Sequence, residues 1–171
     1  LGVQRVLSVS AVGSLTEAHA PGDFVLVDQF IDRSLRRGVT FFGGGIAAHV
    51  PFGHPVCPAT LAAVEEVAQG LEVKVHSGGT YLCIEGPQFS TRAESEFYRD
   101  LGATVVGMTQ ATEARLAREA GMAFACIAMV TDFDCWHPDY DEVDVEAVVE
   151  VARRNAETVR ELVLRSIPTL A

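Results

Sequence analysis

Short apolar runs alternate along the chain with segments in which apolar residues recur every three or four positions. The run 123–131 is almost entirely apolar, and 5–10 accumulates Val and Leu, as expected of strands buried on both faces. Further strands are predicted over 23–28, 72–76, 81–85 and 104–108. This alternation of strands and helices predicts an α/β fold with a mixed, twisted β-sheet flanked by helices.

Four helices are predicted from their start and stop signals. Pro58 opens the first, and Ser90 or Thr91 followed by Glu94 is typical of the start of the second. Gly121 follows the third at the expected C-terminal position. The predicted helices span 58–71, 90–101, 112–120 and 143–166.

The remaining segments are predicted to be turns and loops. Residues 11–14 are small and predict a turn after the first strand, and 77–79 predict another. Residues 33–58 have no apolar period and are rich in Gly, Pro and His. Loops of this length in a compact domain are usually functional or interfacial. We expect residues 1–171 to form a single domain, without repeats or linkers.

Composition excludes several classes of partner. The formal net charge of -10 leaves no basic patch to meet the phosphates of a nucleic acid or an acidic membrane, although one small phosphate held by amides and hydroxyls is compatible with it. No apolar run reaches the roughly 18 residues of a membrane span. The four cysteines show no CxxC spacing, which favours free thiols in a reducing compartment over disulfides.

Two aspartates are the strongest candidates for chemistry. Asp132 and Asp134 follow the apolar run 123–130, and an extended chain would direct both carboxylates to the same side. One interpretation is a local cap, in which both side chains accept hydrogen bonds from nearby amides. The other is recognition of a ligand with adjacent donor and acceptor sites, such as a purine, because burial can keep one carboxyl protonated.

Other strand ends carry weaker candidates. Phe89 follows a Gly-Pro turn and is either a core residue or an aromatic surface for a flat ring. Met108 and Thr109 would place a thioether and a hydroxyl at another strand end, and Ser10 offers a hydroxyl beside small residues. Residues 43–45 lack the Lys-Ser/Thr of a phosphate loop, the histidines form no zinc-ligand set, and GxSxG is absent.

Taken together, these segments resemble the trimeric purine nucleoside phosphorylase family, and within it the methylthioadenosine phosphorylases. The resemblance covers essentially every residue and corresponds to the C-terminal two-thirds of such enzymes. It runs in order through SAVGSL at 10–15, PGD at 21–23, DQFIDR at 28–33, TFF at 40–42, EGPQFSTRAE at 85–94, Met108-Thr109 and TDFDCW at 131–136.

The resemblance implies a nucleoside-phosphorylase-like fold and a role for each matching residue around the base. Phe89 would pack on the purine, and Ser90 stands where guanine- and hypoxanthine-specific relatives carry Glu. Asp132 stands where those relatives carry Asn and would donate to purine N7. Asp134 would lie near the 6-amino group.

The resemblance also implies the sugar and phosphate contacts. Ser10, with Ala11 beside it, would touch phosphate and ribose, Met108 would hold the ribose hydroxyls, and Thr109 would bind phosphate. The methylthio pocket would be lined by Val145, Val148 and a neighbouring subunit's His49.

The activity implied by the resemblance is reversible phosphorolysis of methylthioadenosine in purine salvage, in a cytoplasmic homotrimer. Phosphate is a co-substrate, and no metal or organic cofactor is expected. The family's N-terminal part, with a phosphate loop and an Arg-His pair, is missing, so we expect this piece alone to be inactive. The alternatives are a broader purine nucleoside or methylthioinosine phosphorylase, and a non-catalytic nucleotide-binding fragment.

Overall fold

A computed structural model describes residues 1–139 and 143–170. Within these ranges, seven strands alternate with four α-helices and a short 3₁₀ helix at Ile167–Leu170. The strands are β1 (Arg5–Ser14), β2 (Phe24–Val27), β3 (Gln29–Asp32), β4 (Val75–Ser77), β5 (Thr80–Cys83), β6 (Val105–Gly107) and β7 (Ala123–Asp132). The helices are α1 (Pro58–Ala68), α2 (Arg92–Asp100), α3 (Gln110–Glu119) and α4 (Val145–Ser166).

The strands form one sheet in the order β3-β5-β6-β1-β7-β2-β4. The central strands β1 and β7 are parallel, whereas β6 and β2 run antiparallel to them on either side. The outer pairs β3·β5, β5·β6 and β2·β4 are parallel. The predicted mixed α/β sheet is therefore confirmed.

Helices cover both faces of the central strands, which explains why the strand sequences are so apolar. Alanines of α3 pack with Tyr81 and Phe124 in one buried cluster. Val64 of α1 and Leu162 of α4 pack with Ile127 in another cluster on β7 and β2. Because β7 is enclosed in this way, its residues from 124 to 131 are all buried, as in a central strand of an α/β protein.

Several strands begin or end at residues other than those predicted, because their bounds depend on pairing with strands that are distant in sequence. The predicted turn at 11–14 is wrong, because β1 continues to Ser14 and pairs with β7 and then with β6. The predicted strand at 23–28 is β2, but the chain then bends at Asp28 and forms β3, which pairs with β5. The strand predicted at 72–76 lies instead at Val75–Ser77.

The helix predictions are confirmed with shifts of a few residues at their ends. The capping box before α2 forms as predicted, with the Thr91 hydroxyl accepting from the Glu94 amide and the Glu94 carboxylate accepting from the Thr91 amide. Residues 33–57 contain neither helix nor strand, as expected. Among the described residues, no helix is long and apolar enough to cross a membrane.

Candidate active site

A cleft opens in the sheet where β1 and β6 separate. Their ladder holds only two residue pairs, Gly13 with Val106 and Ser14 with Val105. β6 then ends at Gly107, and a cleft of about 350 Å³ lies between the diverging chains and the end of β7. It is lined by Val9, Ser10, Ala11, Val12, Gly13, Ile84, Phe89, Ser90, Val106, Gly107, Met108, Thr109, Thr131, Asp132, Asp134 and Val148.

The two aspartates at the end of β7 both line this cleft, but not in the predicted extended geometry. Asp132 is the last residue of β7, and Asp134 adopts a left-handed backbone conformation with φ 52°. The Asp134 amide donates to Asp132 Oδ1 over 2.8 Å, which closes a local turn. Asp132 Oδ1 therefore acts as a local cap, as one interpretation predicted. Both side chains nevertheless line the cleft, as the ligand-binding interpretation requires.

Burial has the largest effect on the pKa values of Asp132 and Asp134. It raises the pKa of Asp132, against the opposing hydrogen bonds from the Thr131 hydroxyl and the Asp134 amide. Burial also raises the pKa of Asp134, and the nearby Ser95 hydroxyl opposes the shift while the charge of Asp132 reinforces it. A protonated carboxyl is therefore easier to reach here than on the protein surface.

Several buried polar atoms in this region have no hydrogen-bond partner among the described residues. They include Asp134 Oδ2 and the hydroxyls of Ser90 and Ser95, although both hydroxyls lie near the Asp134 carboxyl. Unpaired buried polar atoms are costly, and native proteins keep few of them. Since Asp134 and Ser90 both line the cleft, a ligand with donors and acceptors would satisfy them.

Contacts to the neighbouring strand and helix fix the segment that carries Asp134. The Trp136 indole donates to the Ser14 carbonyl over 2.7 Å, and the Cys135 thiol to the Ser90 carbonyl over 3.2 Å. The Arg99 guanidinium lies 3.7 Å from the centre of the Trp136 ring. These contacts hold the two residues that follow Asp134 against β1, α2 and the segment before α2.

Gly13 provides the space that the carboxyl pair requires. A Cβ at this position would lie 2.9 Å from Asp132 Oδ1 and 3.3 Å from Asp134 Cβ. A side chain here would displace the aspartates from the cleft. Residues 11–14, which resembled a turn in the sequence, are therefore extended, and Gly13 among them leaves room for the aspartates.

Hydroxyl groups line the opposite part of the cleft. Ser10 lies on β1, and Thr109 immediately precedes α3, where unpaired helix amides favour an anion. The Ser10 hydroxyl lies 3.1 Å from the Tyr81 hydroxyl, and the Gln110 amide nitrogen donates to the Thr109 hydroxyl over 3.1 Å. This end of the cleft can bind an anion through neutral donors.

Apolar side chains complete the walls. Phe89 is 46% exposed, so it is not the core residue of one interpretation. Met108 follows β6, and Val148 contributes from the first turns of α4. An apolar wall beside a few convergent polar groups is the usual construction of a small-molecule site.

The structure does not bring every predicted residue into this cleft. Val145, in the first turn of α4, is 56% exposed and does not line it. His49 is exposed and borders a separate depression formed by residues 39–52 together with Arg115 and Glu119. Within this chain, His49 therefore does not contribute to the cleft. The described residues also include no group of three or more His, Cys, Asp or Glu side chains that could hold a metal ion.

Comparison with known proteins places this architecture in a family. The family model described as Phosphorylase superfamily matches residues 1–168. The chain belongs to this superfamily.

Similar members of the superfamily are S-methyl-5'-thioadenosine phosphorylases. The chain is 58% identical over 162 residues to the protein of that name from Rhodospirillum rubrum, and this match covers 95% of the chain and 55% of the relative. It is 52% identical over 170 residues to the Koribacter versatilis protein, covering 99% of the chain and 58% of the relative. The chain thus spans somewhat more than half the length of these superfamily members.

Solved structures of the superfamily share the fold. A mutant of adenosine/methylthioadenosine phosphorylase from Schistosoma mansoni in complex with adenine matches at a TM-score of 0.94 and 35% identity, covering 99% of this chain and 67% of that one. A methylthioadenosine phosphorylase from an Antarctic soil metagenomic library matches at a TM-score of 0.93 and 43% identity, covering 99% and 60% respectively.

Sequence reasoning missed several residues that shape the cleft, and two of them contact residues that it did predict. Tyr81 reaches Ser10 from β5, and Thr131 donates to Asp132. The sequence carried no local signal for Tyr81, because its partner lies 71 positions away. Thr131 directly precedes Asp132, so the hydroxyl neighbour could have been noticed.

Proposed function

We propose that this chain supplies a nucleoside-binding cleft for the reversible phosphorolysis of S-methyl-5'-thioadenosine to adenine and 5-methylthioribose 1-phosphate. The observation that carries the proposal is the meeting of a buried carboxyl pair and two hydroxyl groups in one cleft. The names of the relatives and the adenine complexes of structural neighbours support it. We assign this activity to a full-length protein, which includes the part of its relatives' sequence that lies outside the match.

The carboxyl end of the cleft suits a 6-aminopurine. Asp134 Oδ2 is buried without a partner and would accept from the exocyclic amino group. Asp132, whose pKa is raised by burial, would present a proton or a hydrogen bond to N7. Phe89 would pack on the flat ring, and the Ser90 hydroxyl would pair with a remaining polar edge.

The proposed reaction transfers the ribosyl carbon from purine to phosphate. The bond between C1′ and N9 breaks, and its electron pair leaves with the purine, whose developing negative charge is stabilised by the hydrogen bond from Asp132 to N7. A phosphate oxygen forms the new bond to C1′, and phosphate charge stabilises the cationic sugar in between. Asp132 provides general-acid catalysis of the kind that a raised pKa favours.

The hydroxyl end of the cleft would hold the phosphate and the sugar. Ser10 and Thr109 are donors near the N terminus of α3 and would contact phosphate, with Ala11 allowing close approach. Met108 would cover the ribose hydroxyls. Val148 lines the cleft and would contact the methylthio group. Phosphate is a co-substrate, and the proposal requires no metal or organic cofactor.

We extend this proposal to a homotrimer in which a neighbouring subunit's His49, together with Val145, completes the methylthio pocket. The segment at 33–57 exposes large apolar residues, among them Leu35 at 91% and Ile46 at 68%, which is typical of an interaction surface. His49 lies in this same segment. The molar mass of the full-length protein in solution, by light scattering, tests the trimer.

We further propose a cytoplasmic site of action in purine salvage. All four cysteines are free thiols, and three of them are buried. Free thiols of this kind persist in a reducing compartment. A net charge of -10 argues against nucleic acid as a partner.

The deciding experiment is adenine release by the full-length protein from methylthioadenosine, with and without phosphate. Phosphate-dependent release supports the proposal, and release without phosphate contradicts it. Adenosine belongs in the same assay, because the Schistosoma mansoni neighbour is named for both substrates. Faster turnover of inosine or methylthioinosine would indicate the broader phosphorylase, and adenine binding without turnover would indicate a non-catalytic nucleotide-binding protein.

A further inference from the structure

A tyrosine that does not line the cleft lies directly beneath its hydroxyl end. Tyr81, on β5, is completely buried. Its hydroxyl lies 3.1 Å from Ser10 Oγ and accepts a long hydrogen bond of 3.4 Å from the Thr109 amide. Tyr81 therefore links the two residues that would contact phosphate, Ser10 inside β1 and Thr109 between β6 and α3.

The absence of a side chain at Gly107 leaves space for the Tyr81 hydroxyl. A Cβ on Gly107 would lie 2.0 Å from Tyr81 Oη and 2.6 Å from Cζ. Any larger residue at 107 would therefore displace the ring. Glycine at the end of β6 lets the hydroxyl pass under the backbone and reach Ser10.

Burial keeps the hydroxyl in its neutral form. It raises the pKa of Tyr81 to about 12, so the group keeps its one proton at neutral pH. Since the oxygen accepts from the Thr109 amide, its proton can be donated to Ser10 Oγ. In that arrangement Ser10 keeps its own proton to donate, either over 3.3 Å to the Ala11 carbonyl or to a phosphate in the cleft, and each hydrogen bond polarises the next.

We propose that Tyr81 is a positioning residue for the phosphate subsite. It orients the Ser10 hydroxyl as a donor and holds the Thr109 backbone beside it. This inference rests on the proposed function. It assigns no contact between Tyr81 and the nucleoside, because the tyrosine lies on the far side of Ser10 and Gly107 from the cleft.

The test is Tyr81→Phe in the full-length protein, which removes one oxygen and keeps the ring. We expect KM for phosphate to rise roughly three- to tenfold, the range given by the loss of one neutral hydrogen bond. The dissociation constant for adenine alone should stay within twofold. Tyr98→Phe is the matched control for the phosphate effect, since Tyr98 is also buried but does not line the cleft or contact Ser10, and it should leave KM for phosphate unchanged.

A double-mutant cycle separates positioning from a general effect on the fold. If Tyr81 acts mainly through Ser10, Tyr81→Phe should raise KM for phosphate by a clearly smaller factor in a Ser10→Ala background, where only its contact with the Thr109 amide remains. Equal effects in both backgrounds, an unchanged KM in Tyr81→Phe, or an equal loss of adenine affinity would each overturn the inference. A wild-type protein that binds adenine but shows no phosphorolysis would overturn the proposed function instead. The wild-type activity is therefore measured before the variants are compared.

Discussion

Two buried aspartate clusters flank the C-terminal part of β7, and they differ in how their charges are satisfied. Asp23, beside β7 on the β2 side, accepts from the His76 ring at 2.7 Å, from Lys74 at 3.0 Å and from the Ala20 amide at 3.1 Å. Asp134, at the β1 side, has a buried carboxylate oxygen with no hydrogen-bond partner in the described chain. Both side chains are largely withdrawn from solvent.

The pKa values move in opposite directions as a result. Burial alone would raise the pKa of Asp23, but its hydrogen bonds to His76 and Lys74 lower it overall. Burial dominates at Asp132 and Asp134 and raises the pKa of both. The interactions of Asp23 thus stabilise the fold at neutral pH, whereas the raised pKa values of Asp132 and Asp134 mean that their ionised forms reduce its stability there. This is the difference that we expect between a structural aspartate and one that binds a ligand.

The largest expected effect is on substrate preference. Asp132→Asn should lower the ratio of kcat/KM for methylthioadenosine to that for inosine by roughly 10²–10³, the scale for removing one group that stabilises developing charge. An Asn side chain has two hydrogens to donate, to N7 and O6 of a 6-oxopurine, whereas a protonated Asp132 has one, which it would donate to N7. Steady-state kinetics of the full-length protein on both nucleosides measures the ratio.

The control for that substitution is Asp100→Asn, an exposed residue that does not line the cleft. It should leave the ratio unchanged. If Asp132→Asn also leaves the ratio unchanged, Asp132 has no part in base recognition.

The next effect is on stability. Asp23→Asn removes the charge that His76 and Lys74 face and should lower the free energy of unfolding at pH 7 by roughly 1.5–3 kcal/mol, as for hydrogen bonds to charged groups. Substrate preference should not change, because Asp23 lies outside the cleft. Denaturant unfolding at fixed protein concentration measures the difference. An unchanged stability would mean that the partners of Asp23 contribute nothing net.

A smaller effect concerns the pH dependence of the same cluster. Burial lowers the pKa of His19, the charge of the nearby His76 ring and Lys74 lower it further, and Asp23 opposes them. Because the unfolded state then binds the proton more readily, the stability contributed by neutral His19 is present above about pH 6.5 and decreases as the pH falls toward the lowered pKa.

His19→Gln should therefore reduce the loss of stability between pH 7 and pH 5, by at most about 1.4 kcal/mol per pH unit, the limit for one proton. Unfolding curves at the two pH values measure the slope. A wild-type slope in His19→Gln would show that His19 does not titrate differently on folding.

Elements with local signals could be predicted from the sequence. The capping box at Thr91 and Glu94 and the proline at 58 located helix starts, because these groups satisfy backbone amides within the same turn. The apolar run of β7 indicated a central strand. The polar residues at the ends of β6 and β7 that line the cleft were located for a related reason, since they interrupt the apolar runs.

Features that depend on long-range contacts could not be predicted. The extended conformation of residues 11–14 comes from pairing with β7 and β6, more than ninety positions away. The left-handed backbone of Asp134 comes from its turn with Asp132 and from the anchoring of Trp136 on Ser14. The link between Tyr81 and Ser10 requires β5, β6 and β1 to be assembled first.

The most direct test of the account is the sign of the stability change when each cluster loses a charge. Asp134→Asn should raise the free energy of unfolding at pH 7 by about 1 kcal/mol, because the neutral amide removes a buried charge and can donate to the nearby Ser90 and Ser95 hydroxyls. Asn also tolerates the left-handed backbone at this position. Unfolding of the ligand-free full-length protein should thus show Asp134→Asn more stable and Asp23→Asn less stable than wild type. A loss of stability in both variants would contradict the claim that the cleft carboxyls are kept for a ligand.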